Sequence, residues 1–584
     1  PDPAKGASWT GIRVYYGDGS DNFSTYFSVT PTPAPAVGDD CRALDLNGDG
    51  KDDFLFEKTT TGTSSFYYML NNGTSLDAPV LIQSQPWNAG TGFSGKIRRS
   101  ELQENDNEKS GNDYNGDGVN DIFIADPSGN WTIKSFINSS GQKTSTLNIL
   151  GSGTNTNLAN EILSADFNGD GKSEIWCFAS SNFNIYSLTG TALNSIFSST
   201  FCTKTNFFSL GDFNADSKAD IFMYGNGKNG SEFDFTNWQV QLSMGTAFET
   251  YYISQKKANL KDDYVRLGDF NADGAIDLMI TSVDQSWTGT RYYISSKNGT
   301  DLFDHTISGS SAFQNYYLAD YNGDGQTDYV CTDSQASPWW NGYTISKPNA
   351  NTSFLMEKVG NGLGNVTKLT YTKLSQAATT IYQKGSGAVY PVRDYQGPLS
   401  VVSSVLYDNG KGAYNTMNYY YEAVKLHLQG RGFLGFMKTR STDLATSIDK
   451  ESISNYNTTY FYPYLVRTLT KRMGTTDTLE TVKNYWNHTV LDAARKRIFP
   501  YIQSSTQTNK LMGHSVVVTC GYDNYGNPTS IVKNFSNGPT ETTTTTYENI
   551  VTPYWLIGRP TAISVQYTGG ANTITRTGTR VFAT

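Results

Sequence analysis

The sequence predicts an all-β protein: a β-propeller of six or seven blades with calcium loops, followed by a second strand-rich region. Three observations carry this. A nine-residue acidic pattern, Asp-x-Asn-x-Asp-x-x-x-Asp/Glu, occurs six times between residues 45 and 328. The composition is rich in Tyr (38), Phe (30) and Gly (55) and poor in helix-forming runs, which favours short strands joined by turns. Past residue 355 the acidic pattern stops, while alternating strand-like stretches continue to the end of the chain. At 584 residues the chain is too long for one core, so several units are expected.

Residues 1–40 form the first unit. An alternating stretch around Trp9 to Tyr16 leads into the turn Gly17-Asp18-Gly19, and the Pro-rich Thr30 to Pro35 reads as a stiff linker. Residues 41–355 hold the repeats. The first Asp of each motif falls at 45, 113, 166, 212, 269 and 320, giving spacings of 68, 53, 46, 57 and 51 residues. Each repeat has an apolar strand before the acidic loop, another after it, then an aromatic strand: Phe66, Trp131, Phe183, Trp238, Trp287 and Trp339-Trp340 mark the six. Four short strands at a period near 50 describe a propeller blade, which buries its faces only by stacking on neighbours. The Trp9 segment matches the second half of a repeat but no loop precedes it. Two arrangements stand: six blades with an extra strand pair, or a seventh blade begun at the N-terminus and completed elsewhere.

Oxygen-bearing side chains at positions 1, 3, 5 and 9, a carbonyl at position 7 and a glycine at position 6 are what a hard cation asks of a loop. The predicted ligand sets are Asp45, Asn47, Asp49 and Asp53; Asp113, Asn115, Asp117 and Asp121; Asp166, Asn168, Asp170 and Glu174; Asp212, Asn214, Asp216 and Asp220; Asp269, Asn271, Asp273 and Asp277; and Asp320, Asn322, Asp324 and Asp328. All-oxygen sets with several carboxylates favour Ca2+ over Zn2+ or Mg2+. Two loops deviate: the fourth has Ser217 at position 6, where strain is expected, and the third ends in the longer Glu174. Strands rather than helices flank every loop, so the metal is expected to be structural, up to six Ca2+ ions that neutralise like charges and stiffen the hairpins. The repeats resemble the FG-GAP/VCBS family, whose calcium-loop blades also build integrin α-subunit heads, over roughly residues 8–350.

Residues 356–584 carry other signatures: Leu428-Gln-Gly-Arg431-Gly-Phe-Leu-Gly-Phe436, Gly521-Tyr-Asp-Asn-Tyr525-Gly-Asn527-Pro-Thr529 and Tyr554-Trp-Leu-Ile-Gly558-Arg559-Pro560. These resemble the Rhs/YD-repeat proteins, and more closely the B components of Tc insecticidal toxin complexes and the related SpvB-like secreted proteins. The resemblance implies that the tail is a curved Rhs-type sheet, part of a shell. It also implies that the propeller docks on a pore-forming partner while the shell encloses a toxic domain lying elsewhere. Roughly 230 residues are too few to close such a shell, and the SpvB-homologous region is missing, so the chain reads as a segment of a longer protein or one processed at both ends.

Several classes are disfavoured. A formal charge of -9 argues against a nucleic-acid partner, and no run of about 18 apolar residues offers a transmembrane span. The four histidines (His305, His427, His488, His514) form no HExxH motif, and neither a Gly-x-Ser-x-Gly elbow nor a phosphate-binding loop is present, so no catalytic residue is assigned. His427 reads as a packed or surface residue of a strand, and Arg431 and Arg559 as donors to carbonyls at strand ends. The scattered cysteines read as small buried residues, with Cys41 and Cys331 brought near each other if the repeats close into a ring. The expected function is that of a secreted, non-catalytic scaffold or binding protein with a protein partner: a pore-forming, secretion or surface component. The alternative is a cell-surface adhesin or carbohydrate-binding propeller, in which exposed Tyr and Trp stack on glycans. A calcium-dependent hydrolase or lyase on a propeller scaffold is the weakest reading. Loops of modest affinity fill where calcium is abundant, which places the protein outside the cytosol.

Overall fold

The computed structural model describes residues 11–16, 25–35, 41–86, 113–159, 161–179, 182–201, 206–226, 238–253, 263–282, 289–295, 303–309, 315–332, 343–346, 355–553, 555–569 and 573–580. Within them the chain is all-β, with one 3-10 turn at Thr156–Ala159, and no helix is long and apolar enough to cross a membrane. Trp9, Trp287 and Trp339-Trp340 lie outside the described residues, as do the side chains of Trp238 and Cys331 and with them the Cys41–Cys331 expectation.

Six small antiparallel sheets follow one another in chain order. Blade 1 is Cys41–Leu44, Asp53–Thr60, Thr63–Met69 and Val80–Pro86. Its strands pair strictly with their sequence neighbours, and so do those of every later blade. Blades 3, 4 and 5 also have four strands, and blades 2 and 6 have three among the described residues. Alternation within a strand sends side chains to both faces, and each face meets a different neighbour. Leu55, Phe66 and Tyr68 of blade 1 pack with Ile122, Ile124 and Phe136 of blade 2. Blade 2 meets blade 3 through Trp131, Ile133, Ile175 and Tyr186, and blade 3 meets blade 4 through Trp176, Phe178, Phe208 and Ile221. The core is thus a series of interblade layers.

The N-terminal strands Ile12–Tyr16 and Thr25–Val29 pair as a separate hairpin. Ile12, Val14, Phe27 and Val29 pack on Phe54, Phe56, Tyr67 and Met69, the face of blade 1 turned away from blade 2. This strand pair therefore takes the place beside blade 1 that a preceding blade would take.

From Lys358–Gly360 to Ile574–Thr579 the chain forms one sheet of sixteen strands, antiparallel except where the short Tyr382–Gln383 pairs parallel with Tyr414–His427, with two short strands off the main path, and it does not close into a barrel. Its strands are long, up to the fifteen residues of Thr478–Asp492, and rich in Thr, Tyr and Val, which suit a pleated surface. Cross-strand pairs such as Lys471 with Glu451 (2.8 Å) and Lys533 with Glu541 (2.7 Å) add to the ladder. Arg559, expected as a donor to carbonyls, pairs with its cross-strand neighbour Glu548 at 3.5 Å. The Tyr-Asp motif makes a hairpin turn. The Asp523 carboxylate accepts N–H bonds from Tyr525 and Asn527, and Gly526 N–H donates to the Asp523 carbonyl.

One segment leaves this pattern. Residues 374–398 fold back as a strap carrying Tyr382–Gln383 and Val392–Asp394, both paired with the far half of Tyr414–His427. Leu374, Tyr382, Val401 and Val424 form a small buried cluster beneath it.

Candidate metal loops and their surroundings

The structure places all six acidic motifs at the same point of their blades, as the turn between two antiparallel strands or, in blade 2, at the entry to the first described strand. One loop is tied to the next. The N–H at position 8 donates to the position-1 carbonyl of the preceding loop: Asn120 to Asp45 (3.4 Å), Ser173 to Asp113 (2.7 Å), Ala219 to Asp166 (2.7 Å), Ile276 to Asp212 (2.8 Å) and Thr327 to Asp269 (2.7 Å). The loops thus form a hydrogen-bonded chain running from blade 1 to blade 6.

Within a loop, backbone N–H groups gather around the carboxylates. The position-1 Asp accepts from position 6 in every loop and from position 5 in all but the third, as in Asp49 N–H and Gly50 N–H to Asp45, or Asp324 N–H and Gly325 N–H to Asp320; in loop 3 the Asp170 N–H goes to Asn168 Oδ1 instead. The position-5 Asp accepts from position 7, for example Val119 N–H to Asp117 Oδ1 at 2.9 Å. The position-9 carboxylate is buried and accepts from position 2: Leu46 to Asp53, Tyr114 to Asp121, Phe167 to Glu174, Phe213 to Asp220, Phe270 to Asp277 and Tyr321 to Asp328. In loops 1, 4 and 5 its second oxygen accepts an N–H at the end of the third strand or just past it, from Asn71, Ser243 and Ser295, each at 2.7 Å.

The backbone is left-handed at two positions, not one. Position 4 as well as position 6 has positive φ: +71° and +83° at Gly48 and Gly50, +77° and +82° at Gly116 and Gly118. In loop 4 these places are held by Ala215 and Ser217, at +58° and +68°, so the expected strain at Ser217 is shared with its neighbour. Blade 5 has Ala272 at position 4, also left-handed at +57°.

Burial pushes the position-9 acids up: Asp220 and Asp277 to about 8, and Asp53 and Glu174 to about 7, with backbone N–H donors opposing. Asp121 is likewise raised by burial, and Asp117 is raised to about 6 by burial and then by the Asp113 charge. Such groups resist ionisation unless a cation is beside them.

The loops differ in how that charge is met. In loop 1, Lys51 Nζ pairs with Asp49 (2.6 Å), Lys143 Nζ donates to Asn47 Oδ1 (2.8 Å) and Arg393 stands 3.7 Å from Asp45 Oδ2. In loop 4, Lys218 pairs with Asp216 at 2.7 Å. In loop 2, Asp117 Oδ2 and Asp121 Oδ1 are buried without a hydrogen-bond partner. Among the described residues no three His, Cys, Asp or Glu side chains already converge as a metal-binding group. The carboxylates are turned onto backbone N–H groups instead. Loop 2 fits a cation best, because its two orphaned carboxylate oxygens are what an ion would satisfy; Asp113, Asn115, Asp117, Asp121 and the Val119 carbonyl would hold it.

Among the described residues the histidines join no metal-binding cluster. His427 packs its ring on Phe461 with centroids 4.3 Å apart, accepts the Arg431 N–H at Nδ1, and is lowered in pKa by burial. His488 meets the Tyr462 hydroxyl at 3.3 Å. The His305 side chain lies outside the described residues.

The strap was not foreseen, and it lies on the loops. Tyr390 Oη donates to the Asp117 carbonyl (3.1 Å), Gln376 Nε2 to the Asn322 carbonyl and Oδ1 (both 3.3 Å), and Ser375 Oγ to the Gly323 carbonyl. No repeat in the sequence signals these contacts, which join residues more than fifty positions apart.

Comparison with known proteins agrees with this architecture. Residues 301–463, which include the sixth loop, the strap and the Gly-Arg-Gly-Phe turn, match the family model of the insecticide toxin TcdB middle/N-terminal region. Residues 113–177 and 269–331 match the FG-GAP-like repeat. No curated protein matches. Among solved structures, the Photorhabdus luminescens Tc holotoxin pore aligns over 97% of this chain and 32% of its own, with 12% identity and a TM-score of 0.58. The TcdB2-TccC3-Cdc42 crystal structure aligns over 97% and 30%, with 12% identity and a TM-score of 0.51. The chain spans about a third of the length of these solved chains. The chain carries FG-GAP-like repeats, and in the segment joining propeller to sheet and in its fold it resembles the B component of Tc insecticidal toxin complexes.

Proposed function

We propose that this chain is a secreted, non-catalytic scaffold of toxin-complex type, in which a calcium-stabilised propeller docks a protein partner or gates the compartment bounded by the large sheet. The observation that carries the reading is the match of residues 301–463 to the TcdB middle region, because it spans the junction where the last blade, the strap and the first long strands meet. Calcium enters through the loops. An ion in loop 2 would satisfy buried oxygens that now lack partners and would offset clustered carboxylates, so its binding energy adds to folding. Any toxic activity belongs to a part of the complex outside these residues.

The test is direct binding. The purified chain is mixed with the pore-forming component of a Tc complex, with calcium present, and followed by size-exclusion chromatography and biolayer interferometry. A co-eluting complex that also forms on the sensor surface supports the scaffold reading. Failure to bind, together with specific retention on a glycan array, would replace it with the adhesin reading. Turnover in a screen of glycosidic and ester substrates would overturn the non-catalytic assignment.

A further inference from the structure

Three loops face the strap, and each offers it a predicted metal ligand. Loop 1 offers Asp45, at position 1, whose carboxylate stands 3.7 Å from the Arg393 guanidinium. Loop 2 offers Asp117, at position 5, whose carbonyl accepts the Tyr390 hydroxyl. Loop 6 offers Asn322, at position 3, whose carbonyl and side-chain oxygen both face Gln376.

Shape agrees with these polar contacts. A methyl group on Gly48 would stand 3.2 Å from the Tyr390 ring and one on Gly325 2.9 Å from Pro398, while one on Gly118 would stand 2.5 Å from Cβ of Leu428, whose N–H donates to the Pro391 carbonyl of the strap. Gln429 Nε2 donates to Tyr390 Oη at 2.9 Å, fixing the hydroxyl that reaches loop 2. Between its anchors the strap roofs a cavity of about 540 Å3, lined by Gly50 of loop 1, Asp269 of loop 5, Asp320 of loop 6, and Arg393 and Tyr395 of the strap itself. The first and last loops thus border the same opening, and the strap lines one side of it.

We propose that the acidic loops of blades 1, 2 and 6 form the docking surface of residues 374–398, and that calcium in these loops sets whether the strap stays latched over the cavity. This rests on the calcium reading given above. The physical link is that the same residues serve both tasks. A cation drawing Asp117 and Asp121 together fixes the Asp117 carbonyl that receives Tyr390. Without the cation nothing draws the two carboxylates together, and the carbonyl is no longer fixed in its place. Loop 2 is the expected control point, since it has the orphaned carboxylate oxygens Asp117 Oδ2 and Asp121 Oδ1.

The experiment is hydrogen exchange on the intact chain, with and without a calcium chelator, alongside a calorimetric titration with calcium chloride. Chelation is expected to speed exchange of residues 376–397 by about tenfold or more while strands 514–550 of the large sheet keep their protection. Tyr390→Phe, which removes the hydroxyl but keeps the ring, is expected to give fast strap exchange even with calcium bound, and Gln376→Ala to do so through loop 6. If calcium binds and the strap exchanges equally fast in both conditions, the latch is wrong while the calcium reading stands. If the titration shows no calcium binding, the calcium reading fails and the latch fails with it.

Discussion

Ser217 occupies a left-handed position that five of the six loops give to glycine. A side chain there costs about 1 kcal/mol, so Ser217→Gly is expected to stabilise the protein by about that amount in denaturant unfolding. The reverse change separates strain from crowding. Gly118 and Gly171 share a φ of +82°, but a methyl group on Gly171 meets open space while one on Gly118 meets Leu428. Gly171→Ala should cost about 1 kcal/mol and Gly118→Ala about 2–3 kcal/mol, read as different losses in the same unfolding assay. The need for glycine at position 6 was legible because the metal template states it. The same need at position 4 was not, since Ala215 and Ala272 fill that place in two loops and hide the rule. Position 9 was legible as a carboxylate, but its clamp on the third strand, as in Asp220 with Ser243, depends on a strand arriving from more than twenty residues away.

At the scale of the element, the blade is held by its faces. Trp176 is fully buried in the layer between blades 3 and 4, against Phe167 and Phe183 and with its Nε1 donating to the Ala165 carbonyl at 3.1 Å. Trp176→Ala removes this packing and leaves that carbonyl without its indole donor; a loss of about 3–5 kcal/mol is expected, measurable as a lowered denaturation midpoint. The period of the acidic motifs and the strand between them gave these layers away in the sequence, because the apolar residues alternate onto two faces. The large sheet was legible only as a series of alternating strands. Its sixteen-strand extent is set by hairpins whose side chains are mostly half-buried, so no apolar stripe announces it. The strap was hidden for a related reason: its short strands Tyr382–Gln383 and Val392–Asp394 find partners only where Tyr414–His427 outruns Ser400–Asp408.

For the whole molecule, the acidic loops tie stability to both pH and calcium. Asp220 and Asp277 are raised to about 8, and Asp53 and Glu174 to about 7, chiefly by burial. Between their unfolded values near pH 4 and those folded values, the native protein holds protons that the unfolded chain has released. Stability of the metal-free protein therefore falls as pH rises through that window. Calcium needs the same carboxylates ionised, so its stabilisation should grow over the same range, and melts with calcium and with chelator should diverge from about pH 5 to about pH 8. The most direct measurement is the thermal melt at about pH 7.5, where the divergence is near its largest. With millimolar calcium the first unfolding transition should lie about 5 °C or more above that in chelator, since each filled site at a hundredfold excess over its Kd adds about 2.7 kcal/mol. Superimposable melts with and without calcium would contradict the account: the loops would then be held by their backbone hydrogen bonds alone.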